Sequence, residues 1–162
     1  TGASYYDDYT LSFDGPVFAL LNAGRLDGFE GAGEDVAKAE AQYDRVAALF
    51  DLDRSFVHSW HAGIHPGCGF YWDLFDEDKR WGGAAFGNPR ILHFHTCGAE
   101  PPGEISWNLF DPTIEVDGVR LWEHGRFHLE RLEEGRRILA SYPDVAKVFA
   151  EPDRNIGLAE EA

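Results

Sequence analysis

Five of the seven histidines in this 162-residue chain fall into two clusters. His58, His61 and His65 lie in VHSWHAGIHPG; His93 and His95 lie one residue apart in NPRILHFHTCG, followed by Glu100 and Glu104. Imidazole and carboxylate at this density are the raw material of a divalent-metal site. The expectation is that the two clusters meet in the fold. His93 and His95, two apart on an expected strand, project from one face and could reach one ion. Two histidines on one face also hydrogen-bond in ordinary cores, so spacing alone leaves ligation and packing both open. His58 and His61 should point to opposite faces, so at most one of them faces a site. His124 and His128 are read as surface or packing residues.

The elements that must position these groups can be read from periodicity. Thr10 to Phe13, the Asp14-Gly15 turn and Pro16 to Leu21 are expected to form a strand, a turn and a returning strand. Gly24, Gly28, Gly31 and Gly33 then punctuate a loop without phosphate-loop spacing. Glu34 to Phe50 is the clearest helix: Val36, Ala39, Tyr43, Val46, Ala47 and Phe50 recur at helical spacing, and Glu34 and Asp35 suit its positive N-terminal end. A buried strand over Ser55 to Trp60 delivers the first histidines, and His61 and His65 follow at its end. Phe70 to Phe86 reads as a loop or short helix, and Arg90 to Thr96 as a core strand. Thr113 to Val116, Asp117-Gly118 and Val119 to Trp122 read as a hairpin. A helix is expected from Arg126 onward through Leu129, Leu132, Gly135 and Leu139, and another from Asp144 to Phe149 after Pro143, ending at Pro152. The fold class is therefore α+β: one domain over residues 1–162, a mixed or largely antiparallel sheet with one main helix and a C-terminal helical extension.

Composition bounds the partners. Twenty-nine acidic residues against 14 basic ones give a formal charge of −15, which argues against nucleic acid and anionic membrane. No apolar run is long enough for a membrane span, and the first residues lack the features of a secretory signal. Cys68 and Cys97 are too few for a disulfide scaffold and read as small buried thiols, which suits a reducing cytoplasm.

Two resemblances bear on the histidines. Gly87, His93-Phe94-His95 and Glu100 resemble the first metal motif of the cupins, but the second cupin motif is absent downstream. A wider resemblance runs collinearly through LSFDG, GAGEDVAKAEAQYDRVAALF, WHAGIHPG, Asp78-Lys79-Arg80-Trp81-Gly82, GNPRILHFHTCG and DPTIEVDGVRLWEHGRF. In that order of features the chain resembles the C-terminal catalytic half of the aminopeptidase T family of metallopeptidases. It is also similar to their relatives, the 2,5-dihydroxypyridine 5,6-dioxygenases, which open a pyridine ring with ferrous iron and oxygen.

The resemblance implies a ligand set. His61 stands where the peptidases carry glutamate and the dioxygenases histidine, which points to the dioxygenase branch. His93 or His95 matches a further family histidine loosely, and Glu104 and Ser106 fall where the family has a His-x-Asp pair. The implied metal ligands are His61, His93, His95 and Glu104, with Glu100 and His65 as catalytic groups and Trp60 and Trp107 against a flat substrate. The implied activity is that of a non-haem iron oxygenase on a small aromatic or heteroaromatic compound. A metal-dependent aminopeptidase or amide hydrolase, with Zn(II) or Mn(II) in place of Fe(II), is the alternative. The family's N-terminal domain has no counterpart in this sequence. A third reading is therefore a non-catalytic subunit of an oligomer in which a separate chain supplies that domain.

Overall fold

The computed structural model describes residues 11–68, 87–99 and 103–149. Strand β1 (Val17–Asn22) turns at Ala23-Gly24 into β2 (Arg25–Gly31), and helix α1 (Gly33–Phe50) follows. Next come β3 (Val57–Ala62), β4 (Ile91–Cys97), β5 (Glu104–Phe110), β6 (Ile114–Val116), β7 (Val119–Glu123) and β8 (Arg126–Phe127). A 3-10 turn (Leu129–Arg131) leads to α2 (Glu133–Ser141) and α3 (Pro143–Val148). The fold is α+β with antiparallel pairing, as expected. Among the described residues the strands form three small sheets, β1-β2, β3-β4-β5 and β6-β7-β8, where the sequence suggested one. No described helix is long and apolar enough to cross a membrane.

The chain divides into two compact units, each described by itself: Thr1–Ser59 with Phe94–Ser106, and Trp60–His93 with Trp107–Ala162. Neither is a continuous stretch. The division falls once within each of β3, β4 and β5.

In the first unit α1 buries Asp35, Ala39, Tyr43 and Val46, a stripe of one residue per turn. The Tyr43 ring meets Phe29 of β2 edge-on at 5.2 Å, and its hydroxyl hydrogen-bonds that of Thr96 on β4. Thr96 in turn donates to the Ile105 carbonyl at 3.2 Å, so α1 is tied to both β4 and β5 through one chain of hydroxyls. Burying a side chain such as Val46 contributes about 1.5–3 kcal/mol.

Asp14-Gly15 does not join two strands as expected. Its amides instead donate to the Asp35 carboxylate at 3.1 and 2.9 Å, in the first turn of α1. The Lys38 ammonium, 2.9 Å away, and the Gly15 amide hold that carboxyl below its ordinary value. The partner of β1 is therefore not Leu11 to Phe13 but β2, in the stretch that its glycines made look like a loop. Leu26 and Phe29, the apolar residues of that stretch, are buried.

In the second unit Asn88, Pro89 and Ile91 are fully buried. Arg90, also buried, forms a two-point pair with Asp111 (2.6 and 2.9 Å). The expected hairpin is present: Asp117 and Gly118 take φ of 50° and 78°, the left-handed pair that a two-residue type I′ turn requires. A second turn of this kind at His124-Gly125 continues the meander into β8, so the helix expected from Arg126 begins only at Glu133. Pro143 opens the last helix as expected. The stretch Phe70 to Phe86, Glu100 and Pro152 lie outside the described residues.

Candidate metal centre

Strand β4 is the middle strand of β3-β4-β5 and is buried on both faces. Its register with β3 is set by bonds from Cys97 N–H to the Phe56 carbonyl (2.9 Å) and from Gly63 N–H to the Ile91 carbonyl (3.3 Å). These bonds put His61 across from His93, and the two rings lie 5.1 Å apart, centre to centre. On the other side Gly98 N–H donates to the Gly103 carbonyl (2.8 Å) and Asp111 N–H to the Arg90 carbonyl (2.7 Å), which fixes β5.

The end of β3 is held in three ways. The Trp122 indole donates to the Gly63 carbonyl at 2.7 Å. The Asn88 amide donates to the Cys68 carbonyl at 2.6 Å, and its oxygen accepts from Arg90 N–H at 3.0 Å. Gly63 itself passes so close to Asn88 that a Cβ there would lie 2.0 Å from the Asn88 carbonyl oxygen. Only glycine permits this approach of two backbones.

His61, His93 and His95 form one group, each offering a nitrogen within 4.8 Å of the others. His93 is buried, His95 half-buried and His61 exposed. Nitrogen ligands 2.0–2.1 Å from a tetrahedral ion stand roughly 3.3 Å apart, so small side-chain rotations would close the set on an ion. Of the upstream cluster His61 alone thus joins His93 and His95, and the donor set could hold a metal ion.

The β5 side chains complete the surroundings. Glu104, implied as a ligand by the resemblance, is the first residue of β5, and its carboxylate lies 2.7 Å from Nδ1 of His95. Asn108, which sequence reasoning missed, places its amide oxygen 3.2 Å from Nδ1 of His93. The two-residue spacing of Glu104, Ser106 and Asn108 is the signal of a strand, though it does not tell which strand pairs with it.

The other expected site residues take different places. His58 faces away from the group: its Nε2 is 2.9 Å from the Cys97 carbonyl, and its ring packs edge-on against Phe56. His65 is exposed, with Nδ1 accepting from Gly67 N–H at 3.0 Å, and it is not a member of the trio. Trp60 is half exposed and Trp107 half-buried. Strand alternation puts these two on the side of the sheet opposite His61 and Asn108. Burial pushes the Cys97 thiol above its ordinary value, which disfavours the thiolate that a metal would need. Glu100 lies outside the described residues.

No family model, no curated protein and no solved structure matches this chain.

Proposed function

We propose that the chain is the metal-binding part of a divalent-metal-dependent enzyme whose centre is His61, His93 and His95. The observation that carries this reading is the arrival of His61, from a separate cluster 32 residues upstream of His93, beside the two same-face histidines of β4. Three imidazoles whose nitrogens lie within 4.8 Å of one another are a donor set suited to a divalent metal ion.

The first reaction class is a ring-cleaving, dioxygenase-like oxidation of a small aromatic or heteroaromatic compound with Fe(II). It is supported by the collinear resemblance and by histidine, rather than glutamate, at position 61. Bound there, the ion would supply Lewis acidity and open positions for small molecules. The chain's own part is to hold three neutral donors on one sheet face, with His93 buried and His61 exposed.

One observation favours a second reading, a metal-dependent hydrolase. Glu104 stands behind His95, and the remaining set of three imidazoles is the kind that holds catalytic zinc. The substrate, the oligomeric state and a separate chain supplying a further domain belong to these readings.

Metal analysis of protein purified without added metal tests both. About one ion per chain is expected. Iron, with oxygen uptake in the presence of catechol- or hydroxypyridine-type compounds, supports the oxygenase; zinc or manganese, with turnover of aminoacyl amides, supports the hydrolase. A chain that takes up no ion, even after incubation with each metal, overturns both.

A further inference from the structure

The Glu104 carboxylate lies 2.7 Å from Nδ1 of His95 but off the line of a hydrogen bond from that nitrogen; at this distance two lone pairs repel, so the contact favours the proton on Nδ1. The neutral ring then keeps its lone pair on Nε2 alone. His93 repeats the arrangement two residues away: its Nδ1 faces the amide oxygen of Asn108, also an acceptor, at 3.2 Å. Both partners come from β5, so one strand sets the same tautomer in both histidines of its neighbour. The His95 and Glu104 side chains are 19% and 14% exposed, so solvent screens this contact far less than a surface pair.

We infer that Glu104 is a positioning residue of the metal centre rather than one of its ligands. It holds His95 with Nε2 toward the ion and raises the donor strength of that nitrogen, and Asn108 does the same for His93 without the charge. The two nitrogens of an imidazole point away from each other, so a group bound to Nδ1 lies behind the ring as seen from an ion on Nε2. The consequence is a neutral ligand set backed by one negative charge, in place of a set that contains a carboxylate. This inference rests on the three-histidine reading above.

Titration of the chelator-stripped chain with zinc(II) and cobalt(II) tests it. In Glu104→Gln the stoichiometry should stay at one ion and the affinity should fall about 10–100-fold. The cobalt absorption spectrum should keep its wild-type shape, because no ligand has been removed, and the metal-free melting temperature should be unchanged. Asn108→Asp supplies an independent readout: a carboxylate placed behind His93 should tighten binding, by up to about tenfold.

A wild-type affinity in Glu104→Gln, or no tightening in Asn108→Asp, overturns the positioning role while leaving the centre intact, provided that each histidine-to-alanine variant still loses the ion. A cobalt spectrum in Glu104→Gln that reports a lost ligand makes Glu104 a ligand and also overturns it. No ion on the wild-type chain removes the centre itself.

Discussion

Two histidine–carboxylate contacts of the same length occur in different company. His95 meets Glu104 at 2.7 Å on the β3-β4-β5 sheet, and His128 meets Glu130 at 2.7 Å beside the β6-β7-β8 meander. Around His128 the neighbours are ion pairs: its other nitrogen is 3.9 Å from Glu123, which also takes Arg131 at 2.5 Å and Arg120 at 2.7 Å. Around His95 the neighbours are two more imidazoles. Carboxylates already matched by guanidinium groups have little left to offer an ion, whereas converging imidazole lone pairs have a common use for one. The contact distance does not mark a site; the company does.

Removing one histidine from each region should separate the two contacts most widely. His61→Ala, His93→Ala and His95→Ala should each weaken metal binding by more than about 100-fold, the upper range for loss of a mere outer partner. His128→Ala should leave metal affinity and stoichiometry at wild-type values. Competition against a chromophoric chelator measures all four, and a loss of binding in His128→Ala would mean that the two contacts had been ranked wrongly.

A second contrast concerns the glycines that shape the two regions. Gly63→Ala would force a Cβ to within 2.0 Å of the Asn88 carbonyl oxygen, and the two backbones must separate at the end of β3. Denaturant unfolding should show a loss of about 3 kcal/mol, with weaker metal binding because His61 rides on that strand. Gly118→Ala meets nothing within 4 Å and suffers only its φ of +78°, a cost of about 1 kcal/mol without effect on the metal. Equal losses would show that β3 tolerates the separation and that His61 does not depend on it.

The same two regions differ in how well the sequence disclosed them. The meander was legible because its signals are local: Asp117-Gly118 specifies the turn, and the flanking alternation specifies the strands. Helix α1 was legible for the same reason, since Ala39, Tyr43 and Val46 repeat at its period. His93 and His95 were placed on one face by their spacing, and His61 was joined to them only through a resemblance. Strand β5 was missed because Pro101, Pro102 and Gly103 break the pattern just ahead of it, and no element was read between Thr96 and Thr113. Strand β2 was missed because Gly28 and Gly31 lie inside it. What pattern reading lacks is cross-strand pairing: neither the Glu104–His95 nor the Asn108–His93 contact has a trace in local periodicity, because each is made by the register of β5 on β4.

The smallest effect separates the regions by pH. Arg131 and Arg120 beside Glu123 lower its carboxyl from an ordinary 4.5 to about 2. A carboxyl whose value is lower in the folded chain contributes stability that is fully present above about pH 4.5 and is lost as pH falls toward 2. Glu123→Gln should therefore flatten the decline of the thermal midpoint between those limits and lower the midpoint at neutral pH by the same small amount, because the arginine partners are partly exposed and the ion pairs are screened. Metal release on acidification has a different origin, competition between protons and the ion for the imidazoles of the trio. Its midpoint, followed by the cobalt absorption, should be the same in Glu123→Gln as in the wild type. A shifted release midpoint would mean that the arginine-bound carboxylates of the meander help to hold the ion, and the distinction between the two histidine–carboxylate contacts would fail.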